Sequence, residues 1–196
     1  MKNIVKKFLL FILLISTCLI SDAQNDRENV NLDMLSERGM RFYAVTGSFS
    51  SIGGDLYGND KINDLSLNFD VKYFLIRNLG FGLDVDLERI SVNNNQNTTY
   101  QQVLCLAPEL TYFFESPGTE MIPYLSVNAG YITLGDGTGS INGTRLSGSG
   151  GFVIYKGRFS GLMEVGFERD TYSIQNANQN ISGTKFFVGF GVGLLL

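Results

Sequence analysis

The sequence predicts an all-β protein: a closed, eight-stranded, antiparallel up-and-down barrel that crosses a membrane. Three observations predict it. Apolar and polar residues alternate in eight segments between residues 40 and 196, as side chains do on the two faces of a strand. The connections are in turn long and polar, then short, as in membrane barrels. The N-terminus has the pattern of an export signal.

Residues 1–23 are predicted to be a signal peptide. Three lysines precede residue 8, residues 8–15 are wholly apolar, and small and polar residues follow up to the predicted cleavage after Ala23. The apolar run is shorter than the roughly 20 residues of a spanning helix. The alternative, a lipoprotein cut before Cys18, is disfavoured by Thr17. Residues 24–39 are predicted to be a flexible periplasmic lead-in, with a plug in the barrel mouth as the alternative.

The barrel domain is predicted to span residues 40–196. Its strands are expected at 40–50, 65–75, 80–92, 100–114, 122–134, 145–155, 159–169 and 183–196. Long outer loops are expected at 51–63, 93–99, 135–144 and 170–182, and short turns at 77–79, 115–121 and 156–157. The strand at 65–75 is the clearest, because its odd positions are apolar and most even positions are polar. Pro108 predicts a local irregularity or bulge.

The side chains also predict which face points outward. A soluble barrel such as a lipocalin would turn its apolar face inward. Here the polar face carries the small residues that suit the narrow lumen of an eight-stranded barrel. They are Gly82, Gly130, Gly166, Gly189, Gly191 and Gly193. The opposite face carries bulky apolar and aromatic residues, so it is predicted to contact lipid.

The polar face places charged side chains in the predicted lumen. They are Asp70, Lys72, Asp84, Asp86, Glu88, Glu109, Arg145, Glu164, Glu168 and Lys185. A three-residue turn at 77–79 would put Lys72 opposite Asp84. A two-residue turn at 156–157 would put Arg145 opposite Glu168, with Lys185 joining the same network.

Acids outnumber bases seven to three in this set. The lumen is therefore expected to hold water, to bind cations, or to keep some carboxylates protonated. The favoured interpretation is a set of ion pairs that makes the barrel rigid. The alternative is a narrow path for cations or protons.

Composition excludes several functions. Cleavage after Ala23 removes three of 15 basic and one of 19 acidic residues, which leaves a net charge of −6 and argues against nucleic-acid binding.

The chain has no histidine, which excludes Ser-His-Asp and His-metal chemistry. A carboxylate pair such as Glu164 and Asp86 is the remaining catalytic option. Cys105 is expected to be a small packed residue, and residues 135–139 a surface loop rather than an anion or calcium site. No cofactor, metal or catalytic residue is predicted.

Two motifs resemble the small outer-membrane β-barrel proteins, the group of OmpX-like barrels and the OmpA transmembrane domain. One is SLNFDVKYFLIRNLGFGLDV at residues 66–85, and the other is IPYLSVNAGY at 122–131. In the first, a Tyr-Phe pair precedes a turn with Asn and an apolar-Gly-apolar segment follows. The resemblance covers residues 40–196 and implies the outer membrane of a Gram-negative bacterium. One departure is the C-terminal Leu196, where such barrels often end on an aromatic residue. No peptidoglycan-binding domain of the OmpA type is expected after the last strand.

The resemblance implies outer-membrane lipid as a partner and the barrel-assembly machinery during biogenesis. Two functions follow as hypotheses. The first is a non-enzymatic structural or surface-interaction protein whose four outer loops meet an extracellular protein or glycan. The second is a narrow channel or transporter for ions or small apolar solutes.

Overall fold

A computed structural model describes residues 38–54, 61–94, 97–114, 120–135, 139–174 and 179–196. The predicted signal peptide and all but the last two residues of the predicted lead-in lie outside these ranges. Within the described part of the chain, no helix is long and apolar enough to cross a membrane.

The described residues form eight antiparallel strands in one closed barrel, which confirms the predicted fold class. Each strand pairs with its neighbours in sequence, and β1 closes the barrel by pairing with β8. The strands are β1 Arg41–Gly54, β2 Lys61–Ile76, β3 Leu79–Asn94, β4 Asn97–Phe113, β5 Met121–Gly135, β6 Ser140–Lys156, β7 Phe159–Ile174 and β8 Gln179–Leu195.

The strands are strongly staggered around the barrel. Stepping from Phe42 through directly paired residues on each strand in turn leads to Lys185 on β8 and back to β1 at Ile52, ten residues further along. With strands spaced about 4.8 Å apart and rising about 3.3 Å per residue, this stagger tilts them by about 40°. The lumen of such a barrel is just wide enough for side chains to fill.

The outer wall is apolar, as the sequence predicts. The large exposed apolar side chains include Leu65, Val71, Tyr73, Phe81, Leu83, Leu104, Leu106, Leu110, Leu125, Val127, Tyr131, Phe152, Met163, Val165, Phe167, Phe186, Phe190 and Val192. Exposed Tyr and Phe side chains lie near the short-turn end, where the rings of Tyr112 and Phe114 are 5.1 Å apart. Such a wall is stable in lipid and not in water.

The outer connections are shorter than predicted, because the strands continue into all four expected loops. Ile52, which pairs with Lys185, and both members of the pair Tyr172–Ile181 lie in segments expected to be loops. A tilted 16-residue strand reaches about 40 Å along the barrel axis, beyond an apolar band of about 25 Å. Past that band the outer face of the wall no longer meets lipid, so the lipid-facing apolar pattern ends while backbone pairing continues. Most of the outward side chains there are polar: Ser91, Gln102, Thr133, Asn142, Thr144, Thr171, Ser182 and Thr184.

Two predicted pairings are wrong by two residues. The β2–β3 turn is Arg77–Asn78, and an irregularity between Phe74 and Ile76 shifts the register, so Lys72 faces Gly82 and Asp84 faces Asp70. Asn78 has φ 67°, a left-handed value that Asn tolerates.

The β6–β7 turn is Gly157–Arg158 rather than Lys156–Gly157, which places Arg145 opposite Asp170 instead of Glu168. Gly157 has φ 68° at the first central position of the turn, a value that glycine adopts without strain. A shift of two residues keeps every side chain on its predicted face.

Pro108 marks an irregularity but no register shift. Its side chain is exposed on the outer wall, and the β4–β5 ladder lacks pairs between Leu106–Tyr131 and Glu109–Asn128. Both flanking pairs have the same register, so no extra residue is inserted there.

Gly193 makes room for an aromatic side chain in the lumen. A Cβ at this position would lie 2.6 Å from Phe42 Cζ and 2.6 Å from Ser160 Oγ. We expect Gly193→Ala to destabilise the folded barrel by about 1–3 kcal/mol, because overpacking forces neighbours out of their rotamers. Urea unfolding of the barrel in lipid vesicles measures the change.

Gly161→Ala is the matched control, because Gly161 is exposed on the adjacent strand and a Cβ there meets no atom within 4 Å. Equal unfolding midpoints for the two variants would contradict the packing described for the lumen.

Candidate functional site

An apolar cluster closes the short-turn end of the lumen. Phe42 and Phe74 are at most 1% exposed, and ring centroids lie 5.4 Å apart for Phe74–Phe113 and 6.4 Å apart for Phe42–Tyr155. We call this cluster the aromatic plug; its members are Phe42, Ala44, Phe74, Phe113, Tyr124, Val153, Tyr155, Leu162 and Leu195. The plug fills the lumen with side chains that exclude water.

A second apolar cluster lies in the outer half of the lumen. We call it the outer apolar cluster; its members are Ile90, Val103, Cys105, Ala107, Ile132, Leu134 and Tyr172. Cys105 is buried and free, and it packs there as a small apolar residue. The charged side chains of the lumen belong to strand positions between and beside these two clusters.

The charges next to the plug are arranged around Lys72. Its Nζ pairs with Asp70 Oδ2 and lies 3.0 Å from Glu109 Oε2. Glu109 also accepts hydrogen bonds from Ser126 and, at 3.0 Å, from Thr111. Tyr124, a member of the plug, donates to Glu164 Oε2 at 2.9 Å. We call Lys72, Asp70, Asp84, Glu109 and Glu164 the inner charge cluster.

Asp84 does not pair with Lys72. Instead its two carboxylate oxygens accept hydrogen bonds from the side-chain amides of Asn68, at 2.6 Å, and Asn128, at 2.8 Å. The predicted Lys72–Asp84 pair is therefore wrong in its contacts as well as in register. The two asparagines are absent from the predicted set of lumen residues, although both share the inward face with Asp84.

Further out, Arg145 binds carboxylates from two other strands. Its Nη1 lies 2.8 Å from Asp86 Oδ2 and 3.0 Å from Glu168 Oε2, and it also pairs with Glu88. Its Nε and Nη2 donate to the two oxygens of Asp170, at 2.7 and 2.8 Å. A planar guanidinium suits this arrangement, because its donors are fixed in one fork.

Lys185 extends the same group of charges to two more strands. Its Nζ lies 2.5 Å from Glu88 Oε1, 2.9 Å from Glu168 Oε2 and 3.2 Å from Asp64 Oδ2. We call Arg145, Lys185, Asp64, Asp86, Glu88, Glu168 and Asp170 the outer charge cluster; it joins β2, β3, β6, β7 and β8. The Arg145–Glu168 contact exists despite the shifted register, because long side chains reach diagonal neighbours.

Two members of this cluster are absent from the sequence-based set. Asp64 and Asp170 lie at the edges of expected loops, where the predicted strands end. Continuing the alternation from Ser66 to Asp64 and from Glu168 to Asp170 would have placed both inward. Glu164 and Asp86, considered as a catalytic pair, bind different partners, Tyr124 and Arg145.

Among the described residues, the lumen holds nine carboxylates and three basic side chains. Nine of these twelve are buried, with Arg145 3% and Glu88 4% exposed, and Glu164, Glu168 and Asp170 are half-buried. A buried charge without a partner is strongly unfavourable. The three basic groups therefore hold the barrel together by binding several carboxylates each.

We expect Arg145→Met to destabilise the barrel by about 3–5 kcal/mol, because it leaves buried carboxylates without their cation. Urea unfolding in lipid vesicles measures the loss. Adding Glu88→Gln to this variant is expected to restore part of it, because one of the unpaired charges is removed.

Arg169→Met is the matched control. Arg169 is on the neighbouring strand and exposed on the outer wall, so its loss is expected to change stability by less than about 0.5 kcal/mol. A large effect at Arg169, or none at Arg145, would contradict the role given to the outer charge cluster.

Comparison with known proteins identifies the fold. No family model and no curated protein matches the chain. Among solved structures, Neisserial surface protein A (NspA) matches with a TM-score of 0.59 at 14% identity, over 80% of this chain and 99% of that protein. The outer membrane protein OprG from Pseudomonas aeruginosa matches with a TM-score of 0.54 at 14% identity, over 82% of this chain and 97% of that one. By its fold and its apolar exterior, the chain is a small eight-stranded β-barrel of the outer-membrane type.

Proposed function

We propose that the protein is a non-enzymatic, non-conducting barrel of the Gram-negative outer membrane, with a structural or surface-interaction role. The aromatic plug is the observation that carries this proposal. Four of its side chains, Phe42, Phe74, Phe113 and Val153, are at most 2% exposed. A lumen filled with packed apolar side chains offers an ion no polar ligands to replace its water.

The plug also weighs against a narrow channel. An ion leaving the inner charge cluster towards the turns would have to pass the rings of Phe42 and Phe113, whose centroids are 6.3 Å apart at near right angles. The inward charges are bound to one another and do not line an open path. Ion pairs that fix the register of the barrel explain them better than conduction does.

The lumen is equally unsuited to catalysis. The chain has no histidine, and the described inward carboxylates are buried among partners in the barrel. Hydrolysis by a carboxylate pair needs access for both a substrate and a water molecule. The fold alone assigns no activity, because one fold carries many functions.

The outer end is where a partner can bind. The paired strands extend past the apolar band, with mostly polar side chains on the outer face and the outer apolar cluster on the inner face, so they form a rigid outer rim. Residues 55–60, 95–96, 136–138 and 175–178 belong to the connections between these strands. We propose an extracellular protein or glycan as the ligand of this rim, outer-membrane lipid as the partner of the wall, and the barrel-assembly machinery as the partner during biogenesis.

In planar lipid bilayers, the purified barrel is expected to show no steady single-channel conductance, because the plug seals the lumen. The double variant Phe42→Ala/Phe74→Ala removes two of its rings and is expected to increase the leak of protons and small ions. Phe186→Ala/Phe190→Ala, on the exposed outer wall, is the control and should leave the membrane tight. A steady conductance of the unaltered protein would refute the non-conducting role.

The surface role has its own test. Cells that display the barrel are expected to adhere to an immobilised extracellular protein or glycan, and to lose that adhesion when residues 55–60 and 175–178 are replaced by Gly-Ser segments of equal length. The replacements stop at these bounds because longer ones would include paired strand residues and would disrupt the rim.

Replacing residues 115–119, which connect β4 to β5, is the control for the same change in composition. Adhesion that survives the outer replacements, or falls equally with the control, would argue against the proposed surface role.

A further inference from the structure

The described outer surface of the barrel is basic, although the chain is acidic overall. Of the ten acidic side chains in the described ranges, nine lie in the lumen and Glu120 alone lies outside it. Outside the lumen the structure describes seven basic side chains, all of them exposed. Two of these, Arg89 and Arg169, are on the outer half of the wall, on β3 and β7. The other five are at the short-turn end: Arg38, Arg41, Arg77, Lys156 and Arg158.

Three of these basic residues lie around the end of β8. Arg158, in the β6–β7 turn, accepts a backbone hydrogen bond from Leu195 at 2.9 Å. Arg41, on the other side of β8, exchanges backbone hydrogen bonds with Leu196 at 2.8 and 2.9 Å. With strands about 4.8 Å apart, the backbones of Arg41 and Arg158 are about 10 Å apart. Lys156 ends β6, two residues before Arg158. We call Arg41, Lys156 and Arg158 the basic arc.

The short-turn end has an excess of positive charge. In the described part of the chain its negative groups are Glu120, which lies beside Tyr155, and the carboxylate of Leu196, against five basic side chains. The short turns of an outer-membrane barrel are periplasmic, so these basic side chains lie at the headgroups of the periplasmic leaflet. Basic residues at the edge of an apolar wall attract headgroups with a net negative charge.

A groove in the outer wall leads from the basic arc towards the bilayer centre. Gly161 faces outward on β7, between Ile154 on β6 and Val192 on β8. A Cβ at Gly161 would meet no atom within 4 Å, whereas the flanking Ile154 and Val192 are 47% and 67% exposed. The half-buried Phe159 lies on the same face between Gly161 and the turn. Because the two flanking strands are about 10 Å apart, one hydrocarbon chain can lie over Gly161 in contact with both side chains.

We propose that the basic arc and this groove bind one anionic phospholipid of the phosphatidylglycerol class from the periplasmic leaflet. Arg41 and Arg158 donate hydrogen bonds to its phosphate oxygens, as guanidinium groups do in bidentate pairs, and Lys156 adds a third positive charge. One acyl chain lies in the groove over Gly161. A zwitterionic headgroup binds less well, because the same three cations repel its ammonium group. The lipid site rests on the proposed placement of the barrel in the outer membrane, and it specifies which lipid the wall selects.

The test is to fold the complete barrel into vesicles of equal parts phosphatidylglycerol and phosphatidylcholine with the same acyl chains. The barrel is extracted in mild detergent, and the bound lipids are counted by native mass spectrometry. We expect about one retained phosphatidylglycerol per barrel, enriched at least about tenfold over phosphatidylcholine. Arg41→Gln/Arg158→Gln is expected to lower this enrichment at least about fivefold. Gly161→Leu is expected to lower retention of the lipid, because its side chain fills the groove.

Arg89→Gln/Arg169→Gln is the matched control. It also removes two exposed arginines, but from strands that are not adjacent, so the two cannot share one phosphate and the enrichment should persist. An equal loss in both arginine pairs would overturn the proposal, because total charge would then account for it. Retention unchanged in Gly161→Leu would also overturn it, because a partner attracted by charge alone, such as an acidic protein, does not need the groove.

Two outcomes separate this lipid site from the placement of the barrel in the membrane. A barrel that folds in the vesicles, as judged by heat-modifiable gel mobility, but retains both lipids equally would overturn the lipid site alone. A chain that folds in no lipid would overturn the placement and the lipid site with it. If Gly161→Leu fails to fold, the comparison of the two arginine pairs decides.

Discussion

The interaction on which the rest of the barrel depends is the binding of one guanidinium by carboxylates of two other strands. Arg145 on β6 reaches Asp86 and Glu88 on β3, across the lumen, and Asp170 on the adjacent β7. Pairing along the ladders fixes each strand only to its neighbours. A contact across the lumen fixes strands that share no ladder, so it holds the closed cylinder in one register.

The lumen is acidic because a barrel in lipid has its apolar face outside and its polar face inside, the reverse of a soluble barrel. The outer wall must be apolar, so the side chains that alternate with it point inward, and a narrow lumen must either fill with them or pair them. This chain does both: aromatic rings fill the end near the turns, and charged groups occupy the lumen above them. The chain is acidic overall, with 19 acidic and 15 basic residues, whereas Arg41, Arg77, Arg89, Lys156, Arg158 and Arg169 are exposed. Much of its negative charge is thus enclosed within the barrel rather than displayed on its surface.

The sequence predicts the faces of the strands well and their pairing poorly. Alternation fixes which side chains point inward, so Lys72, Asp84, Glu109 and Lys185 could be placed on the inner face from a period of two. A slip of two residues preserves that alternation, so nothing in the pattern distinguishes Lys72 opposite Asp84 from Lys72 opposite Gly82. The register depends instead on the exact turn residues and on the irregularity at Phe74–Ile76.

The outer ends of the strands were missed for a different reason. Beyond the lipid the outward side chains are mostly polar, while the inward ones include the buried apolar residues Ile90, Leu134 and Tyr172, so the pattern of apolar outward and polar inward residues ends before the backbone pairing does. Asp64 and Asp170 therefore lie at the edges of the predicted loops. The aromatic plug was not foreseen, because Phe42, Phe74 and Phe113 are apolar residues on the otherwise polar inner face. Only the closed geometry shows that they meet at one end of the lumen.

The most direct test of this account is a solid-state NMR measurement of magnetisation transfer from the Arg145 guanidinium nitrogens to side-chain carboxylate carbons in lipid bilayers. The Arg145 signals are assigned by their loss in Arg145→Lys. The account predicts strong transfer to Asp86 and Asp170, whose oxygens lie 2.7–2.8 Å from its nitrogens. An Arg145 that transfers to neither carboxylate, or that exchanges its protons rapidly with water, would contradict it.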